Sequence, residues 1–155
     1  MNAMTARGLS MAAVVAVWVA ISEMARVNLS LWPVIVALGC SLAAGGGIPG
    51  LQKTVAATIS GVVWALLAHA VSRALGGQDI VQALVLGAAA FGMVLQAQVP
   101  LLSYTAGAFA GAGVAMGLRA VNIQGGIRVA IALALGAALG FAAERIERAL
   151  PPGRR

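Results

Sequence analysis

Apolar runs of membrane-spanning length alternate with short polar and charged clusters along this chain. Three stretches contain no Asp, Glu, Lys or Arg at all: 27–52, 54–72 and 80–118. A helix needs about 20 apolar residues to cross the hydrocarbon core of a bilayer. The third stretch is too long for one such helix and suits two. The pattern therefore predicts several transmembrane helices.

We predict an all-α integral membrane protein with six transmembrane helices, forming a single domain over residues 1–155. The predicted spans are 9–24, 29–45, 52–74, 79–96, 100–119 and 127–147, and residues 148–155 form a basic tail. Pro100 separates the fourth and fifth spans, because proline cannot continue a helix and favours an extended conformation at Val99. No small-x-small cleavage site precedes Glu23, so we expect the first span to be mature structure and not a signal peptide.

The composition supports a lipid environment. Hydrophobic residues make up 61% of the chain and charged residues only 9%, whereas a water-soluble domain carries about 25% charged residues. The net charge is +6, but the basic residues lie mostly at the ends of apolar runs and form no patch suited to nucleic acid. This distribution is typical of interfacial anchoring, and the expected partner is the lipid bilayer.

Six spans place both termini on one side of the membrane. That side would hold six basic residues, namely Arg7, Lys53, Arg145, Arg148, Arg154 and Arg155. The other side would hold four, namely Arg26, Arg73, Arg119 and Arg128. Six against four favours cytoplasmic termini. The margin is narrow because the fifth-to-sixth connection carries two arginines on the side poorer in basic residues.

Two parts of the sequence resemble each other. Residues 33–51 align with 100–118, with identical residues at five positions, and 61–69 align with 136–144, both starting with glycine. Each part has an apolar span, a glycine-dense end, a short connection and a helix of small residues. This order predicts two inverted three-helix repeats, as in many transporters. The alternative is that lipid-facing helices share a composition and therefore look alike.

Small residues recur at three- and four-residue steps on three predicted spans, which places them on one face of each helix. The third span carries Thr54, Thr58, Gly61, Ala65, Ala68 and Ser72; the fifth carries Ser103, Gly107 and Gly111; the sixth carries Ala132, Gly136 and Gly140. Small faces let helices pack closely in lipid. We expect a compact bundle, a homo-oligomer, or both.

The segment Gly45-Gly46-Gly47-Ile48-Pro49-Gly50 has two interpretations. It forms a turn that ends the second span, or it is unwound within the membrane beside a water-filled cavity. On the second interpretation a solute pathway would run past the glycine-rich ends of spans two and five. The candidate lining residues are Cys40, Ser41, Gly45, Gly46, Gly47, Ser103, Tyr104, Thr105, Gly107 and Gly111.

Other polar residues also have alternative roles. His69 is either an interfacial or packed histidine, or a gate or proton site, because ionisable groups within a membrane are often functional. Gln96 and Gln98 lie near Pro100, where they line a polar vestibule or satisfy the backbone of a turn. Glu23 and Arg26 form an expected interfacial pair.

No catalytic or metal-binding set appears in the sequence. The four acidic residues lie near predicted span ends, and metal ligands would have to converge. The single cysteine, Cys40, excludes a disulfide within one chain. We therefore expect no enzyme activity and no cofactor.

Three segments carry a resemblance to a known family: "LGCSLAAGGGIPGLQK" (38–53), "SGVVWALL" (60–67) and "VLQAQVPLLSYTAGAFAGAG" (94–113). Together they resemble the YcdZ-type bacterial inner-membrane proteins, a domain of unknown function (number 1097), over residues 12–142. A Cys-Pro-Gln-Gly-Gly-type turn in that family is replaced here by residues 45–50. More distantly, the architecture resembles the membrane half of fusaric-acid-resistance-type efflux proteins. Both resemblances imply an inner-membrane location and favour transport.

Two functions remain open at this point. The first is a channel or transporter for a small neutral or weakly charged solute. The second is a non-transporting accessory or structural membrane protein that binds itself or a membrane partner. The first requires water at the polar residues of spans two and five, and the second requires those residues to be dry.

Overall fold

A computed structural model of the chain describes residues 3–24 and 30–149. The described regular structure is entirely helical, which confirms the predicted all-α class. The helices are α1 Ala3–Met24, α2 Leu31–Ala43, α3 Gly47–Ala74, α4 Asp79–Leu95, α5 Thr105–Gly117 and α6 Ile123–Ala149. Two short 3-10 helices, Gln96–Gln98 and Pro100–Leu102, connect α4 to α5. Arg26, and with it the expected pair with Glu23, lies outside the described residues, as does the 150–155 part of the predicted tail.

Each helix overlaps one predicted span, although some ends differ. Helix α3 begins at Gly47, earlier than predicted, with Pro49 in its first turn. Proline is tolerated there because the first N–H groups of a helix have no acceptor within it. Helix α5 begins later than predicted, since Pro100–Leu102 forms a separate 3-10 helix ahead of it.

Four helices are long and apolar enough to cross a membrane, by length and composition: α1, α3, α6, and α4 extended by the 3-10 helix Gln96–Gln98 to 20 residues. Helices α2 and α5 are apolar but have only 13 residues each. At 1.5 Å per residue each is about 20 Å long, shorter than the ~30 Å hydrocarbon core. The described chain therefore combines four helices of spanning length with two shorter ones.

The long helices α3 and α6 form the centre of the bundle. They contact each other, while α5 and α4 pack on α3, and α2 and α1 pack on α6. In the apolar part of α3 and α6, 39% and 44% of the residues are buried, against 11% in both α1 and α4. The outer helices α1 and α4 therefore leave most of their apolar surface exposed, as suits contact with lipid.

The bundle has two ends, which we call the Glu144 face and the Arg119 face. The Glu144 face holds the start of α1, the α2–α3 turn and the end of α6, joined by an Arg7–Glu147 ion pair of 3.0 Å. The Arg119 face holds the start of α2, the α3–α4 turn and the α5–α6 turn. Successive helices therefore run in opposite directions.

Candidate functional site

Close backbone contact holds α5 against α3. A Cβ atom added to Gly61 would overlap the carbonyl group of Ala108, and one added to Gly111 would overlap that of Thr58. Gly107 is buried against Ala57 and Tyr104. These glycines are therefore needed for the helices to approach, as expected where small residues supply the packing.

The same kind of contact holds α2 against α6. A Cβ atom on Gly136 would overlap the carbonyl group of Val34, and one on Gly140 would overlap the Ser41 hydroxyl. The buried Ser41 hydroxyl donates a 2.8 Å hydrogen bond to the carbonyl of Leu38. Its polar group is thus satisfied within its own helix.

The buried face of α3 is formed by the small residues singled out in the sequence, Thr54, Thr58, Gly61, Ala65, Ala68 and Ser72. Thr58 donates a 2.8 Å hydrogen bond from its hydroxyl to the carbonyl of Thr54. Ala65 belongs to the hydrophobic core at the contact with α5 and α6. On the predicted fifth span, Ser103 precedes α5 and is exposed.

The α2–α3 turn is made of three glycines with left-handed backbone, at φ values of 93° for Gly45, 69° for Gly46 and 66° for Gly47. The Gly47 N–H donates a 2.6 Å hydrogen bond to Oε2 of Glu144 on α6. The same carboxylate lies so close that a Cβ atom on Gly46 would be 2.7 Å from its Oε1. Glu144 therefore caps the start of α3, where a negative charge is favourable.

Little space remains at this turn. A cavity of about 10 Å³ lies between α2, α3 and α6, lined in part by Ser41, Gly46, Gly47 and Glu144. That volume is at most about one water molecule. Arg148 pairs with the same Glu144 carboxylate from one turn further along α6. The Glu144 face is closed at this point.

The α5–α6 turn on the opposite face has a different composition. Arg119 has a φ of 51°, and among the described residues it is the one non-glycine with positive φ. Its N–H donates to the carbonyl of Met116 at 3.0 Å, and the N–H of Ala120 donates to that of Ala115 at 2.9 Å. This helix ending normally uses glycine at the left-handed position. A side chain there costs on the order of 1 kcal/mol.

Arg119 lines a cavity of about 370 Å³, far larger than the one beneath the α2–α3 turn. The cavity lies between the start of α2, the α5–α6 turn and the first turns of α6. Its polar lining residues are Ser30, Arg119, Asn122, Gln124 and Arg128, and no Asp or Glu is among the described lining residues. Neither guanidinium has an ion pair with a described residue. A volume of this size is at the lower end of small-molecule sites.

A second cavity of about 200 Å³ opens near the same face, between the end of α3, α4 and the end of α5. The half-buried His69 lines it together with Ser72, Arg73, Gln82 and Met116. The structure thus places His69 beside a cavity, and a gate or proton role for it stays a prediction.

The remaining predicted pathway residues lie apart from both larger cavities. The half-buried Cys40 thiol on α2 lies next to the Tyr104 hydroxyl before α5. Thr105 is half-buried, and the Ser103 hydroxyl donates to the carbonyl of Pro100 at 2.8 Å. Gly107 and Gly111 pack against α3. The structure thus brings Cys40 and Tyr104 together. The other predicted lining residues divide between the α2–α3 turn, the start of α5, the contact between α3 and α5, and, for Ser41, the contact between α2 and α6.

Gln96 connects the end of α4 to the middle of α3. Its Oε1 accepts a 2.9 Å hydrogen bond from Nε1 of Trp64, and its Nε2 donates to the Ser60 hydroxyl, also at 2.9 Å. These bonds satisfy polar groups beside the two 3-10 helices. Both bonds join Gln96 to side chains of α3, so the vestibule role and the turn-backbone role both stay predictions.

Sequence reasoning did not propose the cavity at Arg119. The sequence marks Arg119 and Arg128 only as charges that bear on orientation in the membrane, and it gives no signal at Asn122 or Gln124. One signal for a basic site is present in the sequence: these two arginines lie close together on the predicted membrane side that is poorer in basic residues. Their cavity also depends on Ser30 and Pro33, which are distant in sequence.

The chain belongs to the family described as protein of unknown function (DUF1097), whose sequence pattern matches residues 8–147. This confirms the resemblance to that domain of unknown function. No curated protein and no solved structure matches the chain.

Proposed function

We propose that this protein transports a small neutral or weakly charged solute across a bacterial inner membrane, with cytoplasmic termini. In this proposal the chain forms six spans arranged as two inverted repeats, α1–α3 and α4–α6. The solute binds between the repeats and reaches the two sides of the membrane alternately.

One observation carries the proposal: the two halves pair in the same way. The helices of the first half have 22, 13 and 28 residues, and those of the second have 17, 13 and 27. Helix α3 packs on α5 as α6 packs on α2, and α4 packs on α3 as α1 packs on α6. Exchanging the two halves therefore exchanges one set of contacts for the other, as inverted repeats require.

The glycine seams support the same arrangement. Gly61 and Gly136, which align in the sequence comparison of the two halves, each pack against the short helix of the other half. The halves thus interlock through backbone contacts. Short helices in corresponding positions of two repeats commonly mark the binding region of transporters. Here those helices are α2 and α5.

The two faces differ in a way that suits alternating access. Cavities of about 370 and 200 Å³ open near the Arg119 face, whereas the Glu144 face holds a cavity of about 10 Å³ beneath its turn. If the two halves exchanged conformations, the open face would become the closed one. The buried polar residues are Ser and Thr alone among those described, which favours a solute of low charge.

Cysteine accessibility tests this proposal. In a Cys40→Ala background we would introduce Gln124→Cys in the larger cavity, or Phe141→Cys beneath the α2–α3 turn. A membrane-impermeant maleimide should label the first from the Arg119 face and should leave the second unlabelled from the Glu144 face. A permeant maleimide is the positive control. Equal protection of both positions would show a dry bundle and reject a pathway.

Solute flux is the second measurement. Proteoliposomes would be shrunk osmotically with glycerol, urea or sodium acetate, and their recovery followed by light scattering. Gln124→Trp should fill the cavity and slow recovery, whereas Ile127→Trp, an exposed position on the same helix outside the cavity lining, should not. Recovery no faster than that of protein-free liposomes for every solute would reject transport of these solutes.

The alternative function is a non-transporting membrane protein that self-associates. The observation in its favour is α4, where Gly87 faces open space and Leu84 and Phe91 are 71% and 66% exposed. Small residues flanked by large ones on a lipid-facing helix are suited to helix association. The particle mass in detergent, compared between the natural chain and Gly87→Leu, measures self-association separately from flux.

A further inference from the structure

Two cations that have no ion pair with any described residue line the cavity at the Arg119 face. Arg119 comes from the α5–α6 turn and Arg128 from the second turn of α6, and both line the cavity of about 370 Å³. Among the described residues, its lining contains no carboxylate that would neutralise them, and neither has an ion pair with a described residue. Two like charges facing one partly enclosed space create a potential that attracts anions.

The start of α6 adds to this potential. Gln124 and Gly125, in the first turn of α6, line the same cavity, and the N-terminus of a helix carries partial positive charge. The Oδ1 atom of Asn122 accepts a 2.8 Å hydrogen bond from the N–H of Gly125. This contact leaves the amide N–H₂ donors of Asn122 available. The cavity therefore combines two guanidinium groups, amide donors and a helix start.

The backbone at Arg119 provides an independent argument. The five other described residues with positive φ, at 45, 46, 47, 76 and 77, are all glycine, and the chain contains 20 glycines. Glycine would adopt this conformation without strain. Strained backbone commonly accompanies functional positions. At Arg119 this conformation is taken by a charged residue that lines the cavity.

We propose that this cavity binds the carboxylate or phosphate group of a small solute, with Arg119 and Arg128 as the principal donors. Guanidinium groups hold such oxyanions through short, charge-assisted hydrogen bonds. The inference deepens the proposed function by naming the solute class as small oxyanions of low charge. Transport of these oxyanions rests on the proposed function, whereas their binding to the cavity does not depend on it.

The binding experiment uses the full chain, delipidated in a neutral detergent. Sodium acetate and sodium phosphate are titrated at constant ionic strength, with sodium chloride as reference, and followed by calorimetry. We expect Arg119→Gln and Arg128→Gln each to weaken binding at least tenfold. Arg145→Gln is the matched control, since Arg145 is an exposed arginine that lines neither of the two larger cavities. Equal loss in Arg145→Gln, or unchanged binding in both cavity variants, would overturn the proposal.

A second variant separates binding from folding. Arg119→Gly removes the guanidinium and also relieves the left-handed backbone, so it should raise the unfolding temperature while losing the stabilisation by acetate or phosphate. If Arg119 had only a structural role, the same change would lower the unfolding temperature, and it would leave the response to anions intact. That result would contradict the proposal.

The oxyanion could also belong to a lipid headgroup. Nanodiscs containing phosphatidylglycerol would therefore be compared with nanodiscs of phosphatidylcholine. Binding of phosphatidylglycerol with no response to acetate or phosphate would overturn the assignment to a solute. Binding of acetate without acetate flux into proteoliposomes would support the binding site and reject the proposed function. Acetate flux that survives Arg119→Gln and Arg128→Gln would support the proposed function and reject the binding site.

Discussion

The two turns that follow the short helices of this protein differ in residue type, charge and packing. After α2, residues 45–47 are glycines in left-handed conformations, and the Glu144 carboxylate lies against them. After α5, Arg119 takes the left-handed position, and the turn borders the cavity of about 370 Å³. One turn is closed by a carboxylate from within the chain, and the other presents cations to an accessible space.

This difference contrasts with the likeness of the helix contacts. Gly61 and Gly136 press against backbone in the same manner in the two halves. Close packing allows few alternatives at such positions, whereas a turn at the bundle surface can change its residues without disturbing the core. The two halves can therefore differ at their turns while their helix contacts stay alike.

The largest expected effect concerns the helix seams, where the halves are alike. Gly61→Val and Gly136→Val each place side-chain atoms against a backbone carbonyl, and each should lower the free energy of unfolding by about 3 kcal/mol. Unfolding in denaturing detergent measures this. Gly113→Val is the control, because a Cβ atom there meets nothing within 4 Å. A large loss in only one of the two seams would contradict the likeness of the halves.

Removal of the carboxylate from the closed turn should have the next largest effect. Glu144→Ala loses the hydrogen bond from Gly47 and leaves Arg148 unpaired, and we expect a loss of about 2 kcal/mol. Glu144→Gln keeps an acceptor oxygen and should lose less. The same unfolding assay compares the two variants. Identical stability of Glu144→Ala and the natural chain would show that the turn closes without its carboxylate.

Exchange of residue types between the turns gives effects of opposite sign. Arg119→Gly should stabilise the protein by about 1 kcal/mol, because glycine adopts positive φ without strain. Gly45→Ala should destabilise it by about 1 kcal/mol, since the site offers open space and only the backbone is strained. Unfolding curves of both variants test this, and two shifts of the same sign would disprove the strain argument.

The smallest expected effect is at the ion pair between α1 and α6. The Arg7 side chain is 59% exposed and that of Glu147 is 18% exposed, so Glu147→Gln should cost less than about 1 kcal/mol. The loss should shrink as salt is added, because exposed charges are screened. A double-mutant cycle with Arg7→Gln isolates the pair. If Glu147→Gln lowered the free energy of unfolding as much as Glu144→Ala, the contact with α1 would be the main one that closes this face.

Local features account for the parts that the sequence predicted well. Stretches without charge predicted the helical class, and Pro100 predicted the break between α4 and α5. The three- and four-residue spacing on α3 identified a face that is buried in the structure. The family match also depends on sequence alone. Each of these signals comes from residues close together along the chain.

Tertiary structure alone decided which elements meet. Nothing in the sequence around Gly136 indicates α2 as its partner, and nothing around Gly46 indicates Glu144, which lies 98 residues further along the chain. Arg119 and Arg128 are visible as charges, but their cavity exists only because the start of α2 packs beside the α5–α6 turn. Helical periodicity is a property of neighbouring residues, whereas a cavity is the space left where distant helices pack together. For that reason the sequence determined the helices of this protein, and their packing determined its candidate site.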